Sequence, residues 1–406
     1  MLPNNMLDLT RPIIQYDPNA KINVMNPSTV SGTFTGYTEY TLKGEDEQGE
    51  FSINRRYKEF YTLRSLLVKN WPGFYIPAIP PKVKLGKTDD HIVQERCYIF
   101  DRFMKSISDI SYLWDSLEVK MFIRPQVGVS ESLSLLPAPT SDEKLERMRL
   151  VMKVNEDLDD ITLNRYSENI RDFVISSKDI FPLLNKFNNC ISQLEKQRQY
   201  QLSAYSEFAD FLSQYEMTTL NIYSCDALQP AKRMISDSDN NNMKELINNL
   251  SKKVSNPFIR FKYWVKEEII DLHALLETIS HKNSIENKKN RLINKIKYAN
   301  HDLEKLNQGK ATLKTFWKTQ NAKANTVTQL TTFIARAEKD VENYTKIIKL
   351  MTIYLHTKVI PTFKERKVKG YIDCLKAFSD NESKNCNQLY LTWSEVLKQI
   401  QRAFEA

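Results

Sequence analysis

The chain has 406 residues, 41% of them hydrophobic and 27% charged, with a formal net charge of +8. That length supports two or three domains with real cores, and the ordinary apolar fraction excludes wholesale disorder. The sequence holds no run of about 18 uncharged apolar residues, which excludes a transmembrane helix, and residues 1–17 lack the basic and apolar regions of a secretory signal; the expected setting is cytoplasmic.

Glycine and proline divide the chain. Seven of nine glycines and eleven of fifteen prolines precede residue 140. These residues punctuate turns and break helices, so the first third reads as a turn-rich domain and the remainder can sustain long helices. After a tail of residues 1–19, strand-like content appears at Ile22–Met25, Gly36–Lys43 and Glu50–Arg56, with Gly44–Gly49 as a hairpin connection. From Lys58 the period changes, and Phe60, Leu63, Leu66 and Leu67 fall on one helical face. Ile76–Lys82 carries Pro77, Pro80 and Pro81 and must be extended. A second helical pattern runs through Ile92, Cys97, Ile99, Phe100, Phe103 and Ile107. A small antiparallel sheet with helices is an α+β domain, assigned to residues 20–125.

Residues 126–165 read as a linker, most clearly over Val127–Pro139. Within it Thr140-Ser-Asp-Glu143 has capping-box spacing. It opens an amphipathic helix that either wedges into a membrane or packs on the helices that follow. From residue 166 to 406, three long periodic segments predict an all-α, elongated three-helix bundle: Ile170 to Tyr215, Phe258 to Leu306, and Leu330 to Phe404. At about 1.5 Å per residue, helices of roughly 50 residues reach about 75 Å. Their apolar stripe is wide, and a second copy is the simplest cover for the surplus, which predicts a homodimer. Pro182 and Pro361 fall inside apolar patterns and either kink or end a helix.

The richest run is Phe51-Ser-Ile-Asn-Arg55-Arg56-Tyr57-Lys58-Glu59-Phe60, followed by Pro80-Pro81-Lys82 and then Arg96. Arginine gives bidentate hydrogen bonds to phosphate, a tyrosine face packs on a sugar-like ring, and lysine adds a point charge. In this order and spacing the three elements resemble a phox-homology (PX) domain over about residues 20 to 124. The resemblance implies a pocket for phosphatidylinositol 3-phosphate. Arg56 would hold the 3-phosphate, Tyr57 the floor under the inositol ring, Lys82 the 1-phosphate and Arg96 the ring hydroxyls. Arg55 supports the fold or faces outward. Val83 and Leu85, between Lys82, Lys84 and Lys87, either dip into the bilayer or form a plain loop.

The helical part resembles the BAR domain of sorting nexins, through Phe261-Lys-Tyr-Trp264, Val359–Lys367 and Trp393. That resemblance implies a homodimer or a heterodimer with another sorting nexin, peripheral on the early endosome membrane. It also implies curvature of that membrane and contact with cargo or coat proteins. Between His281 and Lys323 stand eleven basic against three acidic residues, an excess equal to that of the whole chain. This cluster, which includes Lys288, Lys289, Arg291 and Lys295, is placed near a helical tip where it would meet anionic headgroups, at about 1 kcal/mol per basic residue. The alternative is a solvated helix face.

Enzymatic chemistry has no support. Five histidines sit apart, and there is no HExxH, P-loop or GxGxxG motif. Five scattered cysteines form no CxxC, so neither a disulfide framework nor a metal site is expected, and no cofactor is implied. A basic coiled-coil scaffold that binds nucleic acid would account for the lysines but not for Arg56, Tyr57, Lys82 and Arg96, so no nucleic-acid partner is expected. A third reading keeps the PX domain and makes the helices a passive rod.

Overall fold

A computed structural model describes residues 21–30, 36–82, 89–219, 222, 243–308 and 320–405. The N-terminal tail, Val83 and Leu85 lie outside the described residues. Three strands, β1 (Ile22–Val30), β2 (Tyr37–Asp46) and β3 (Gly49–Arg56), form one antiparallel sheet in the order β1-β2-β3. Alternation drives the register: Thr38, Tyr40 and Leu42 of β2, and Phe51 and Arg55 of β3, point inward. The β2–β3 turn needs Gly49, whose φ is +101°. Arg124 clamps that turn, donating to both Asp46 carboxylate oxygens at 2.8 and 2.9 Å and to the Gly49 carbonyl. The same guanidinium holds the Asp46 carboxyl below the usual range.

The chain then forms α1 (Tyr57–Asn70), an extended proline segment, and α2 (Asp90–Ser108). Helix α2 lies on β1, where the Val24 amide donates to Asp101 at 2.9 Å. Tyr40, Phe60, Phe100 and Phe122 make the aromatic centre of this core, with the rings of Phe60 and Phe100 stacked at 3.9 Å. Two short helices, α3 (Ser111–Trp114) and α4 (Leu117–Ile123), close it. The stretch expected to be a linker contains another, α5 (Val129–Ser134). It buries Val129 and Leu133 against α4 and α1, so Val127–Pro139 is partly packed rather than free chain.

Helix α6 (Ser141–Met152) starts at the expected capping box, with Thr140 and Glu143 bonded reciprocally. Three long helical runs follow: α7 (Asp160–Gln214), then α10 (Phe258–Asn307), then α11 (Gln320–Tyr354) joined to α12 (Ile360–Glu405). Pro182 ends nothing, because α7 continues through it. Pro361 is absorbed differently. A π turn at Leu355–Val359 precedes it, so the helix adapts its hydrogen bonding just before a residue that has no N–H. Two small helices unseen in the sequence pattern, α8 (Met243–Asn248) and α9 (Leu250–Lys253), lie between α7 and α10. No helix of the described residues is long and apolar enough to cross a membrane.

Packing divides the chain into two units, and their bounds cut across the long helices. One holds residues 15–180 and 270–365. In it the sheet domain meets the helical runs directly: Arg64 pairs with Glu277 at 2.6 Å and the Tyr75 hydroxyl donates to Asp271 at 2.9 Å. Phe74 lies against Tyr354, and Tyr75 against Phe363. Of the two placements open for α6, the structure takes packing. The helix buries Leu145, Met148 and Met152, and Asn343 of α11 donates to Ser141 and Asp142 at 3.0 Å.

Gly73, at φ +82°, sits in this contact, where an added Cβ would meet Met351 Cγ at 2.7 Å. Gly73→Ala should therefore destabilise the protein by about 2 kcal/mol, combining backbone strain with a steric shift. Chemical denaturation measures this, and an unchanged midpoint would refute it.

The other unit holds residues 181–269 and 366–405. Its cores are Ile191, Phe261, Val265 and Cys374, and separately Leu202, Ala209, Ile247, Leu250 and Val396. The α8–α9 segment thus supplies apolar side chains that α7 and α12 cover.

Candidate functional site

Strand β3 ends where α1 begins, and the change of period separates two adjacent arginines. Arg55 continues the inward alternation. It is 7% exposed, and its guanidinium donates to the Phe122 carbonyl at 2.7 and 2.9 Å, to the Ile123 carbonyl at 3.2 Å and to the Asn54 carbonyl at 2.7 Å. It is a fold support. Arg56 points the other way and is exposed, over the ring of Tyr37 at 5.8 Å. Its backbone amide donates to Glu59 at 2.9 Å, which caps α1. The guanidinium is 3.8 Å from the same carboxylate, a solvated contact of small worth.

Tyr57, the first residue of α1, turns its ring inward beside Phe100 and donates its hydroxyl to the Pro80 carbonyl at 2.8 Å. That bond ties α1 to the extended proline segment two residues before Lys82, which is exposed. From α2, Arg96 lays its guanidinium over the Tyr57 ring at 4.7 Å. Arg96 is only 6% exposed, yet its Nε has no hydrogen-bond partner. It lies near the Tyr40 hydroxyl without completing a hydrogen bond of good geometry. Burial pushes the Tyr40 phenol up to about 12 and also raises that of Tyr57, so both rings remain neutral around this cation.

The structure therefore brings Tyr57 and Arg96 together, with Arg56 the preceding residue at the end of β3 and Lys82 on the segment that Tyr57 tethers. Sequence reasoning missed Tyr37, whose ring backs Arg56. Its signal was its place at the start of β2, which pairs with the end of β3 across Glu39 and Arg56. An inward-facing cation with an unfilled donor, backed by neutral aromatic rings, fits an anionic ligand.

The four helical cations named from sequence all lie on α10. Lys288 sits over the Tyr344 ring at 5.0 Å, and with Arg291, one turn on, it lines a groove facing Lys69 and Lys144. Lys295 is exposed and Lys289 half-buried. The connection between α10 and α11, with Lys310, Lys314 and Lys318, lies outside the described residues. Among the described residues no cluster of His, Cys, Asp and Glu could hold a metal ion.

Comparison with known proteins places the chain's N-terminal part in a domain family. Residues 44–126 match the family model of the PX domain. The chain is 30% identical over 111 residues to the vacuolar protein sorting-associated protein vps5 of Schizosaccharomyces pombe, a match covering 26% of this chain and 19% of that protein. It is 27% identical over 139 residues to sorting nexin-7 of Homo sapiens, covering 31% and 36%. The matches thus span about a fifth to a third of the curated relatives. The fold matches the cryo-EM structure of the SNX-BAR Mvp1 tetramer with a TM-score of 0.63 at 14% identity, over 93% of this chain and 100% of that one. A PX domain implies phosphoinositide binding. The chain thus contains a PX domain and shares its overall fold with a SNX-BAR protein.

Proposed function

We propose that the protein binds phosphatidylinositol 3-phosphate through Arg56, Tyr57, Lys82 and Arg96, dimerises through its long helices, and shapes endosomal membrane during protein sorting. The reading rests chiefly on Arg96: a buried arginine stacked on Tyr57, with an unfilled Nε, gains a partner when an inositol ring lies on that tyrosine. Arg56, exposed at the rim, is then free to grip the 3-phosphate in the bidentate manner suited to guanidinium. Lys82 supplies a point charge toward the glycerol-linked phosphate. Cosedimentation with vesicles carrying single phosphoinositides tests this; preference for the 3-phosphate is expected, and equal binding to plain phosphatidylserine vesicles would overturn it.

Dimerisation is supported by apolar side chains left uncovered on the helices: Leu183 and Phe211 of α7, and Ile372, Tyr390, Leu391 and Leu397 of α12, are all exposed. So much bare apolar surface is costly on a monomer. In analytical ultracentrifugation the protein should sediment as a dimer at micromolar concentration. A monomer under those conditions would refute this part of the reading. Tubulation of phosphatidylinositol 3-phosphate vesicles by the purified protein separates membrane shaping from the passive-rod alternative. The early endosome is the expected site, since that lipid would be the membrane address.

A further inference from the structure

Away from the Tyr57 pocket, three helices distant in sequence turn cations toward one groove. Lys69 comes from the last turn of α1, Lys144 from the first turns of α6, and Lys288 and Arg291 from α10, with His281 beside them. The groove has a volume of about 730 Å³, within the range of small-molecule sites. Among the described residues none of these four cations has a carboxylate partner. Several carboxylates on the adjoining elements are engaged elsewhere: Glu143 with Thr140, Asp142 with Lys339 and Asn343, Glu277 with Arg64, and Glu118 with Asn70 and Arg147.

Lys144 shows what this arrangement does. It is half-buried, and burial first, then Lys288, Lys69 and Arg147, hold its ammonium below the usual range. It also stands near the start of α6, where the helix dipole disfavours a cation. Converging like charges with no counterion destabilise the free protein, and an anion with several charges relieves all of them together.

We propose that this groove is a second anion site, binding the multiply phosphorylated ring of an inositol polyphosphate or of a polyphosphoinositide headgroup. Its concave form, with Val68 and Ile285 among the walls, suits a compact ring with several phosphates better than an extended polymer, which needs a continuous track. None of its residues belongs to the Arg56 pocket, so the two sites can fail separately.

The test is calorimetric titration of the full chain with inositol hexakisphosphate. Wild type and Arg56→Ala should bind alike, whereas Lys144→Gln with Lys288→Gln should weaken binding by at least tenfold. Lys69→Gln, at an exposed position where folding is not at risk, should weaken it severalfold. Loss in Arg56→Ala with retention in the Lys144/Lys288 variant would overturn the proposal, as would no binding by wild type. Equal competition by polyglutamate or an oligonucleotide would reduce the groove to a general polyanion surface and also overturn it. Vesicles of phosphatidylcholine with phosphatidylinositol 4,5-bisphosphate, tested in the Arg56→Ala background, distinguish the sources. Retention that depends on Lys144 and Lys288 assigns a lipid headgroup, and binding of the soluble probe alone assigns a free polyphosphate.

Discussion

Replacing Arg56 by alanine should weaken binding to phosphatidylinositol 3-phosphate vesicles roughly a hundredfold, corresponding to about 3 kcal/mol for lost charge-assisted hydrogen bonds. Folding stability should stay within about 0.5 kcal/mol, because the exposed guanidinium makes only a solvated contact with Glu59. The cap of α1 is preserved as well, since it uses the backbone amide of residue 56. Arg56→Lys should recover only part of the affinity, for an ammonium cannot present the planar fork. Vesicle cosedimentation and thermal melting measure the two quantities. Unchanged lipid binding in Arg56→Ala would remove Arg56 from the site.

Arg55→Ala, one residue earlier, should have the opposite profile. The substitution strands the buried carbonyls of Phe122 and Ile123 and leaves a void beside the Phe122 ring. A loss of about 4 kcal/mol is expected, a large part of the total stability of an ordinary domain. Lysine should not rescue it, because one ammonium cannot serve three carbonyls held in a guanidinium geometry. Lipid affinity of the fraction that remains folded should be unaltered. Denaturant titration checks the first expectation, and a stable Arg55→Ala protein that fails to bind lipid would reverse the assignment of the two arginines.

The contrast between these neighbours was partly legible in the sequence, which left Arg55 either supporting the fold or facing outward. Phe51, Ile53 and Arg55 alternate onto one face of β3, and that alternation carries Arg56 outward at the point where the helical period begins. The third helical run was also readable, because its apolar repeat continues through Pro361. Other features left no local trace. Helix α5 is serine-rich between prolines, so its turn signals outweighed Val129 and Leu133, and only α4 and α1 give those side chains something to pack on. Helices α8 and α9 are too short for periodicity to register, and tertiary contact with Leu202 and Val396 sustains them. The second cationic groove was unreadable for another reason. Its lysines are separated by scores of residues, and each alone looks like a solvated surface charge. Only the docking of α1 and α6 beside α10 makes them neighbours.

The π turn at Leu355–Val359 has a consequence for chain length. A π turn holds one residue more than the α-helical turn it replaces, so the extra residue is taken up without turning α12 relative to α11. Deleting a single residue there would leave an ordinary α turn with the two helices still in phase. Deleting one of residues 360–362, in the regular helix just after it, would instead rotate everything that follows by about 100°, so that Tyr354 would keep its place on Phe74 while Phe363 would swing off Tyr75. This five-residue stretch thus acts as a length buffer: it should tolerate the loss of one residue that the adjoining helix cannot.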